Sequence, residues 1–131
     1  MAYLHKVTCK VALFNPAYTK VLLVEYGEND FGIPGGHLEE GEKPDNAVRR
    51  ELKEELGIRQ QLQLERKDFW VHPDGKVILG YVGMVDEDIG IHTGDRHEIR
   101  APHWVSISDI ASGKITAGTY DDFILRNGAS Q

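Results

Sequence analysis

Three glutamates, Glu51, Glu54 and Glu55, lie close together in the charged segment RRELKEEL. In an α-helix successive residues turn by about 100°, so Glu54 and Glu55 would lie at about −60° and +40° from Glu51. The three carboxylates would then share roughly a third of the helix circumference. Like charges four residues apart repel, and each exposed pair costs about 0.2–0.5 kcal/mol. This clustering therefore needs a physical explanation.

A hard divalent cation would remove the repulsion, because Mg²⁺ and Mn²⁺ prefer carboxylate and carbonyl oxygens as ligands. Mg²⁺ also takes phosphate oxygens as further ligands, which would suit an anionic substrate. The alternative is a solvated helix face with salt bridges, in which Arg50 pairs with Glu54 four residues later. The charge pattern alone favours this second interpretation.

The helix that would carry these acids is predicted to run from Pro44 to about Leu56. Proline suits the first helical position, and Asp45 would lie near the positive end of the helix dipole. Gly57 is a natural helix terminator. An apolar stripe at intervals of four residues would face the core and consists of Val48, Leu52 and Leu56. The acids would therefore lie beside the buried face of the helix.

Strands are predicted on both sides of this helix from alternating, β-rich segments. They cover residues 6–14, 20–26, 62–72, 76–85 and 99–107, and the sequence PDG between the third and fourth indicates a hairpin turn. Residues 31–36 are predicted to be a short extended piece, residues 86–98 a long polar loop, and residues 108–113 and 119–128 helical. Strands surrounding a central helix favour an α+β fold over a doubly wound sheet. A length of 131 residues predicts one domain.

The charged helix and the loop before it resemble the Nudix box. The matching positions span 23 residues without gap or substitution and are Gly36, Glu42, Arg50, Glu51, Leu52, Glu54, Glu55, Gly57 and Ile58. A weaker resemblance covers most of the chain, including FGIPGGHLEEGE and HEIRAPHWVSISDI. The resemblance implies a single Nudix hydrolase domain over residues 1–131. It also implies the Nudix fold, a mixed β-sheet sandwiched between helices (an α/β/α sandwich).

The resemblance also implies a metal site. Glu54 and Glu55 match the metal ligands of the helix, and Glu51 matches a third carboxylate that is a further ligand or a base. The carbonyl of Gly35 matches a backbone ligand. Glu98 lies where many members carry an additional ligand or base, and the alternative is an ordinary surface acid.

The remaining predicted site residues support the metal site or contact the substrate. Arg50 and Glu42 match an ion-paired brace between helix and loop, and Arg50 belongs to the catalytic set with Glu51, Glu54 and Glu98. Weaker expectations for substrate binding concern Phe31, His37 and Trp104. Of these, Phe31 stands where an aromatic residue is usual, and His37 occupies a variable position of the motif.

By resemblance, the expected activity is Mg²⁺-dependent hydrolysis of a nucleoside diphosphate linkage, with Mn²⁺ as a possible substitute. The preferred substrate is a nucleoside triphosphate or a modified one, cleaved to nucleoside monophosphate and pyrophosphate, as in small MutT-like members. ADP-ribose or another nucleotide sugar is the alternative, for which Pro73 is a weak marker. A third possibility is a nucleotide-sensing module without turnover, although such modules usually lose acids of the box.

Composition limits the partners. A net charge of −6 and a pI near 5.5 disfavour long nucleic acids. The six histidines and the single cysteine lack the spacing of a zinc site. Neither a signal peptide nor a membrane-spanning run is apparent, so we expect a cytoplasmic protein without membrane partners. We expect a monomer or a homodimer.

Overall fold

The computed structural model describes residues 6–93 and 101–128, and its centre is a mixed β-sheet. The main path has the strand order β3-β2-β1-β6-β5, with β4 added to β1 and β7 added to β2. Strands β1 and β6 are parallel, and the other pairs are antiparallel. The strands are β1 (Val7–Phe14), β2 (Lys20–Gly27), β3 (Asp30–Gly32), β4 (Gly35–His37), β5 (Leu64–Val71), β6 (Val77–Met84) and β7 (Ala101–Ser106).

Strand β1 lies at the centre of the sheet and is covered on both faces. Its residues Cys9, Val11 and Leu13 pack in one core cluster with helix α1 (Pro44–Leu56). Its residues Ala12 and Phe14 pack in a second cluster with α2 (Ile107–Ala111) and α3 (Asp121–Gly128). Burial on both faces explains the almost continuous apolar run. The predicted α+β sandwich is confirmed.

Helix α1 has the predicted bounds. Pro44 is at its first turn, and Gly57 ends it in the left-handed conformation with φ 67°. The Gly57 N–H donates to the Lys53 carbonyl at 3.0 Å, which closes the last turn. The carboxylate of Asp45 accepts a 2.6 Å hydrogen bond from the Tyr81 hydroxyl on β6, so the helix start is fixed to the sheet.

The extended piece before α1 consists of two short strands with different partners. Strand β3 pairs with β2, whereas β4 pairs with β1 and places Gly35 opposite Lys10. Gly35 has φ +143°, and a side chain there would collide with the backbone oxygen of Cys9. Glycine is therefore required where the chain passes from its pairing with β2 to its pairing with β1.

The predicted polar loop after β6 is partly apolar in its described portion. Ile89 and Ile91 pack against the α1-side core, and the His92 N–H donates to the Leu56 carbonyl at 2.9 Å. Residues 94–100, including Glu98, lie outside the described residues. In the described part of the chain, no helix is both long and apolar enough to span a membrane.

Candidate active site

A cleft of about 480 Å³ lies between α1, β1, β2 and β4. Predicted and unpredicted residues meet there, including Lys10, Gly35, Gly36, Arg50, Glu51 and Glu55. The pairing of β4 with β1 brings the two glycines next to the centre of the sheet. The C-terminal half of α1 contributes the carboxylates, so the site is assembled from distant parts of the chain.

The two glutamates of the cleft are buried and held against the glycine backbone. Glu51 is 2% exposed and Glu55 is 3% exposed. The Gly35 N–H donates to Glu55 Oε1 at 2.8 Å. A methyl group added at Gly36 would lie 2.5 Å from Glu51 Oε1, so this approach requires glycine. The two glycines thus let the carboxylates of Glu51 and Glu55 lie close to the backbone of β4.

Arg50 is the centre of a charged network on the adjacent helix surface. Its Nε and Nη2 donate to both oxygens of Glu42 at 2.8 and 3.1 Å, which is a bidentate arrangement. Its Nη1 donates to Glu51 at 2.8 Å and to Glu54 at 3.2 Å. Its Nη2 also donates to the His37 carbonyl at 3.1 Å. Arg50 therefore joins the helix acids to the loop before the helix.

The hydrogen bonds of this network lower the pKa of Glu42 and raise the pKa of Arg50. Hydrogen bonds from Arg50, and then from the Glu39 backbone N–H, lower the pKa of Glu42. The bond to Glu42 is also the main cause that raises the pKa of Arg50 above its ordinary value. Both groups are therefore charged over the whole neutral range.

The third helix acid, Glu54, is placed differently from Glu51 and Glu55. Its side chain is 36% exposed and contacts Arg50 four residues earlier in the sequence. Glu54 therefore fits the alternative interpretation of a solvated helix face with salt bridges, and it is one of the three acids. The other two are buried in the cleft.

The donor chemistry of these residues fits a divalent cation. Within residues 6–93 and 101–128, no three side chains of the His, Cys, Asp or Glu type stand together as a ready metal-ligand group. Glu51 and Glu54 are bound by Arg50, and Glu55 by the Gly35 N–H. Carboxylates beside glycine backbone are nevertheless the hard oxygen donors that Mg²⁺ and Mn²⁺ prefer. In this structure Arg50 and the Gly35 N–H hold the three carboxylates in position.

The remaining predicted residues lie at different distances from the cleft. His37 lines it, and its Nδ1 is 3.0 Å from the Thr8 hydroxyl. Burial, and then nearby lysines, lower the pKa of His37, which favours the neutral ring. Phe31 packs on the α3 side, and its ring is nearly perpendicular to that of His103, with 5.7 Å between the centroids.

Trp104 packs on the α1-side core, opposite Leu22. Its indole N–H is buried and has no hydrogen-bond partner among residues 6–93 and 101–128. Neither Trp104 nor Phe31 belongs to the lining of the cleft, so their contact with substrate stays a prediction.

Six residues of the cleft lining were not predicted as site residues, and they are Thr8, Lys10, Tyr26, Glu39, Lys76 and Tyr120. Lys10 had a signal, because a charged residue interrupts the apolar run TCKVALF of a strand buried on both faces. Tyr26 and Tyr120 had no such signal in the sequence. Tyr120 lies more than 60 residues after α1 and reaches the cleft only through the fold. Burial, and then Asp74, raise the pKa of Tyr120 to about 12, so its hydroxyl is protonated at neutral pH.

A comparison with protein families matches the NUDIX domain over residues 4–124. The chain belongs to the Nudix family. The complete box within this domain assigns it to the hydrolases that act on phosphoric anhydride bonds. No curated protein sequence matches the chain.

Solved structures share the Nudix fold with this domain. The E. coli dihydroneopterin triphosphate pyrophosphohydrolase is 18% identical, with a TM-score of 0.79 over 98% of this chain and 100% of that one. The NUDIX domain of Shewanella oneidensis NrtR complexed with ADP ribose is 18% identical, with a TM-score of 0.76 over 95% and 86%. A MutT/nudix family protein from Enterococcus faecalis is 26% identical, with a TM-score of 0.67. That match covers 81% of this chain but 45% of the other.

Proposed function

We propose that this Nudix domain is a Mg²⁺-dependent pyrophosphohydrolase that cleaves nucleoside triphosphates, plain or modified, to nucleoside monophosphate and pyrophosphate. The observation that carries the proposal is the pair of buried carboxylates, Glu51 and Glu55, in a cleft edged by the backbone of Gly35 and Gly36. Buried carboxylates are unfavourable unless they are partnered, and a cation with phosphate oxygens is a suitable partner.

The residues that would hold Mg²⁺ are Glu51, Glu54 and Glu55, the carbonyl of Gly35, and Glu98. A bound divalent cation neutralises phosphate charge and lowers the pKa of a bound water. Arg50 fixes Glu51 and Glu54 relative to the loop through its bonds to Glu42 and the His37 carbonyl. Positioning of this kind reduces the reorganisation that the site needs during the reaction.

In the proposed reaction a water oxygen attacks one phosphorus of the anhydride, and the bridging P–O bond breaks. A carboxylate of the set accepts the proton of the water, and Glu51, Glu54 and Glu98 are the candidates. The glycine at position 36 lets the Glu51 carboxylate lie close to the backbone, since any side chain there would collide with Glu51.

ADP-ribose or a nucleotide sugar is the second candidate substrate. One solved neighbour, the NrtR domain, was crystallised with ADP ribose and matches 95% of this chain. Pro73 adds little support, because residues 72–76 form an ordinary hairpin turn in which the His72 N–H donates to the Lys76 carbonyl at 2.8 Å. The triphosphate is preferred because the fold matches the whole length of a triphosphate pyrophosphohydrolase.

A substrate panel with saturating Mg²⁺ tests the proposal. Nucleoside triphosphates, modified deoxynucleoside triphosphates, ADP-ribose and nucleotide sugars are incubated with the protein, and the products are separated by chromatography. Monophosphate and pyrophosphate from a triphosphate support the proposal, and faster cleavage of ADP-ribose supports the second candidate. Tight nucleotide binding without turnover of any compound would identify a sensing module and contradict both.

A further inference from the structure

Lys10 is a buried lysine in the wall of the cleft. It is 9% exposed, and its backbone pairs with Gly35, the residue whose N–H binds Glu55. Its Nζ donates to the Tyr26 hydroxyl and to the Ile33 carbonyl, both at 3.2 Å. The same Nζ lies 5.3 Å from the centre of the Tyr26 ring and 5.7 Å from that of Tyr120. The ammonium group is thus held in one place by the sheet and two aromatic rings.

Among the described residues, the partners of Lys10 leave part of its hydrogen-bonding capacity unused. An ammonium group has three N–H donors, and two are used by the contacts with Tyr26 and Ile33. Among the described residues Lys10 forms no ion pair within 4 Å; Glu55 and Glu51 attract it from further away in the cleft, and Lys76, which also lines the cleft, repels it. A charge that is removed from water without an ionic partner is unfavourable. An anion in the cleft would supply that partner.

We propose that Lys10 is a substrate-binding residue that donates a hydrogen bond to a phosphate oxygen of the bound nucleotide. The inference rests on the proposed function, because it concerns the same cleft and the phosphate groups of the same substrate. The helix acids and their cation would bind one group of phosphate oxygens, and Lys10 would bind another from β1. Tyr26 is then a positioning residue, since its hydroxyl and ring fix the ammonium group.

The competing explanation is that Lys10 only balances the charges of Glu51 and Glu55. The two explanations differ in what a neutral residue at this position would change. If Lys10 binds phosphate, its removal weakens nucleotide binding and leaves Mg²⁺ binding to the nucleotide-free protein at least as strong. If it only balances the acids, its removal changes thermal stability and Mg²⁺ binding but not nucleotide affinity.

The test compares the wild-type protein with Lys10→Met, which keeps the length and apolar stem of the side chain. The control is Lys20→Met, which removes an exposed lysine outside the cleft that pairs with Glu87. Calorimetry with Mg²⁺ measures binding of inorganic pyrophosphate and of the α,β-methylene analogues of ATP and GTP. Mg²⁺ binding without nucleotide and the melting temperature are measured on the same samples.

We expect Lys10→Met to lower the affinity for these phosphate ligands by about 10- to 100-fold, the usual range for a charged hydrogen bond. Lys20→Met should bind like the wild type. Equal affinities for wild type and Lys10→Met, or no binding by the wild-type protein, would overturn the proposal. If Lys10→Met does not fold, Tyr26→Phe decides, since it removes a hydrogen-bond partner of Lys10 and keeps the ring. A several-fold loss of affinity supports the proposal, and unchanged affinity overturns it.

Measurements of binding and of turnover distinguish the phosphate contact of Lys10 from the proposed hydrolase activity. Lys10-dependent binding without hydrolysis of any nucleotide would contradict the proposed function and keep the phosphate contact. Hydrolysis with the same KM in Lys10→Met would contradict the phosphate contact and keep the proposed function.

Discussion

Two arginines of this domain each bind an acid four residues away on their own helix, and their surroundings differ. Arg50 on α1 contacts Glu54, and Arg126 on α3 contacts Asp122. The Arg50 side chain is 21% exposed and also binds Glu51, whose side chain is 3% exposed, whereas the side chains of Arg126 and Asp122 are 51% and 80% exposed. The same local spacing thus occurs once beside a cleft and once on an open surface.

The difference shows that spacing alone does not define a site. Arg126 also binds Asp68 at 2.9 Å, so it too links a helix to another element, here strand β5. What distinguishes Arg50 is the burial of one of its partners and the backbone carbonyl that it binds. Charged pairs are strong where water is excluded and weak where it is not. Substitutions at the two arginines and their partners should therefore have different effects on activity and stability.

The largest effect is expected at the helix acids. Glu54→Gln and Glu55→Gln should each lower kcat by about 100-fold or more, because each removes a negative oxygen donor proposed to hold Mg²⁺. Asp122→Asn is the matched control for Glu54→Gln, since it removes the corresponding acid from α3. Steady-state rates at saturating Mg²⁺ and melting curves provide the measurement. Unchanged rates for both glutamine variants would contradict the metal-site assignment.

The next largest effect is expected at Arg50. Arg50→Met would remove the guanidinium that lies 2.8 Å from the buried Glu51 and would release Glu42 from the helix. We expect kcat/KM to fall by about 10- to 100-fold and the free energy of unfolding to fall by roughly 2 kcal/mol or more. Denaturant titration and kinetics on the same preparation measure both, with Arg126→Met as the control. Equal stability losses for the two variants would mean that the burial of Glu51 has no energetic consequence.

The sequence contained the chemistry of the site but not its full geometry. The spacing of Glu51, Glu54 and Glu55 on one helix followed from helical periodicity, and Pro44 and Gly57 gave its ends. The pairing of Gly35 with Lys10 was not predictable, because strand pairing depends on residues distant in the sequence. For the same reason the two buried acids could not be distinguished from Glu54. Periodicity identified the face of the helix, and the fold determined which part of that face is covered.

A smaller and pH-dependent effect is expected at Glu42. Its pKa is lowered in the folded protein by Arg50 first and by the Glu39 N–H second. A carboxyl whose folded pKa lies below its unfolded value stabilises the protein above the unfolded value of about 4.3, and this stabilisation disappears as the pH falls through the folded pKa. The melting temperature of Glu42→Gln should therefore lie below that of the wild type at pH 6–7, and the gap should narrow below about pH 4.

Glu65→Gln is the control for this measurement, because Glu65 is an exposed acid on β5 that pairs with the exposed Lys67. Its melting temperature should follow the wild-type curve at every pH. A gap between wild type and Glu42→Gln that stays constant down to about pH 3 would mean that the charge of Glu42 is not what stabilises the loop.

The smallest effect is expected at the surface network of α3. Asp68 also has a lowered pKa, caused first by its hydrogen bond with Arg126, but both partners are accessible to water and salt. Asp68→Asn should change the melting temperature by no more than about 3 °C and leave kcat/KM unaltered. In 1 M NaCl the screening length falls to about 3 Å, so even this difference should disappear. The stability loss of Arg50→Met should persist in the same salt, because Glu51 is shielded from solvent. If salt abolished both differences equally, the contrast between a buried and an exposed arginine network would not hold.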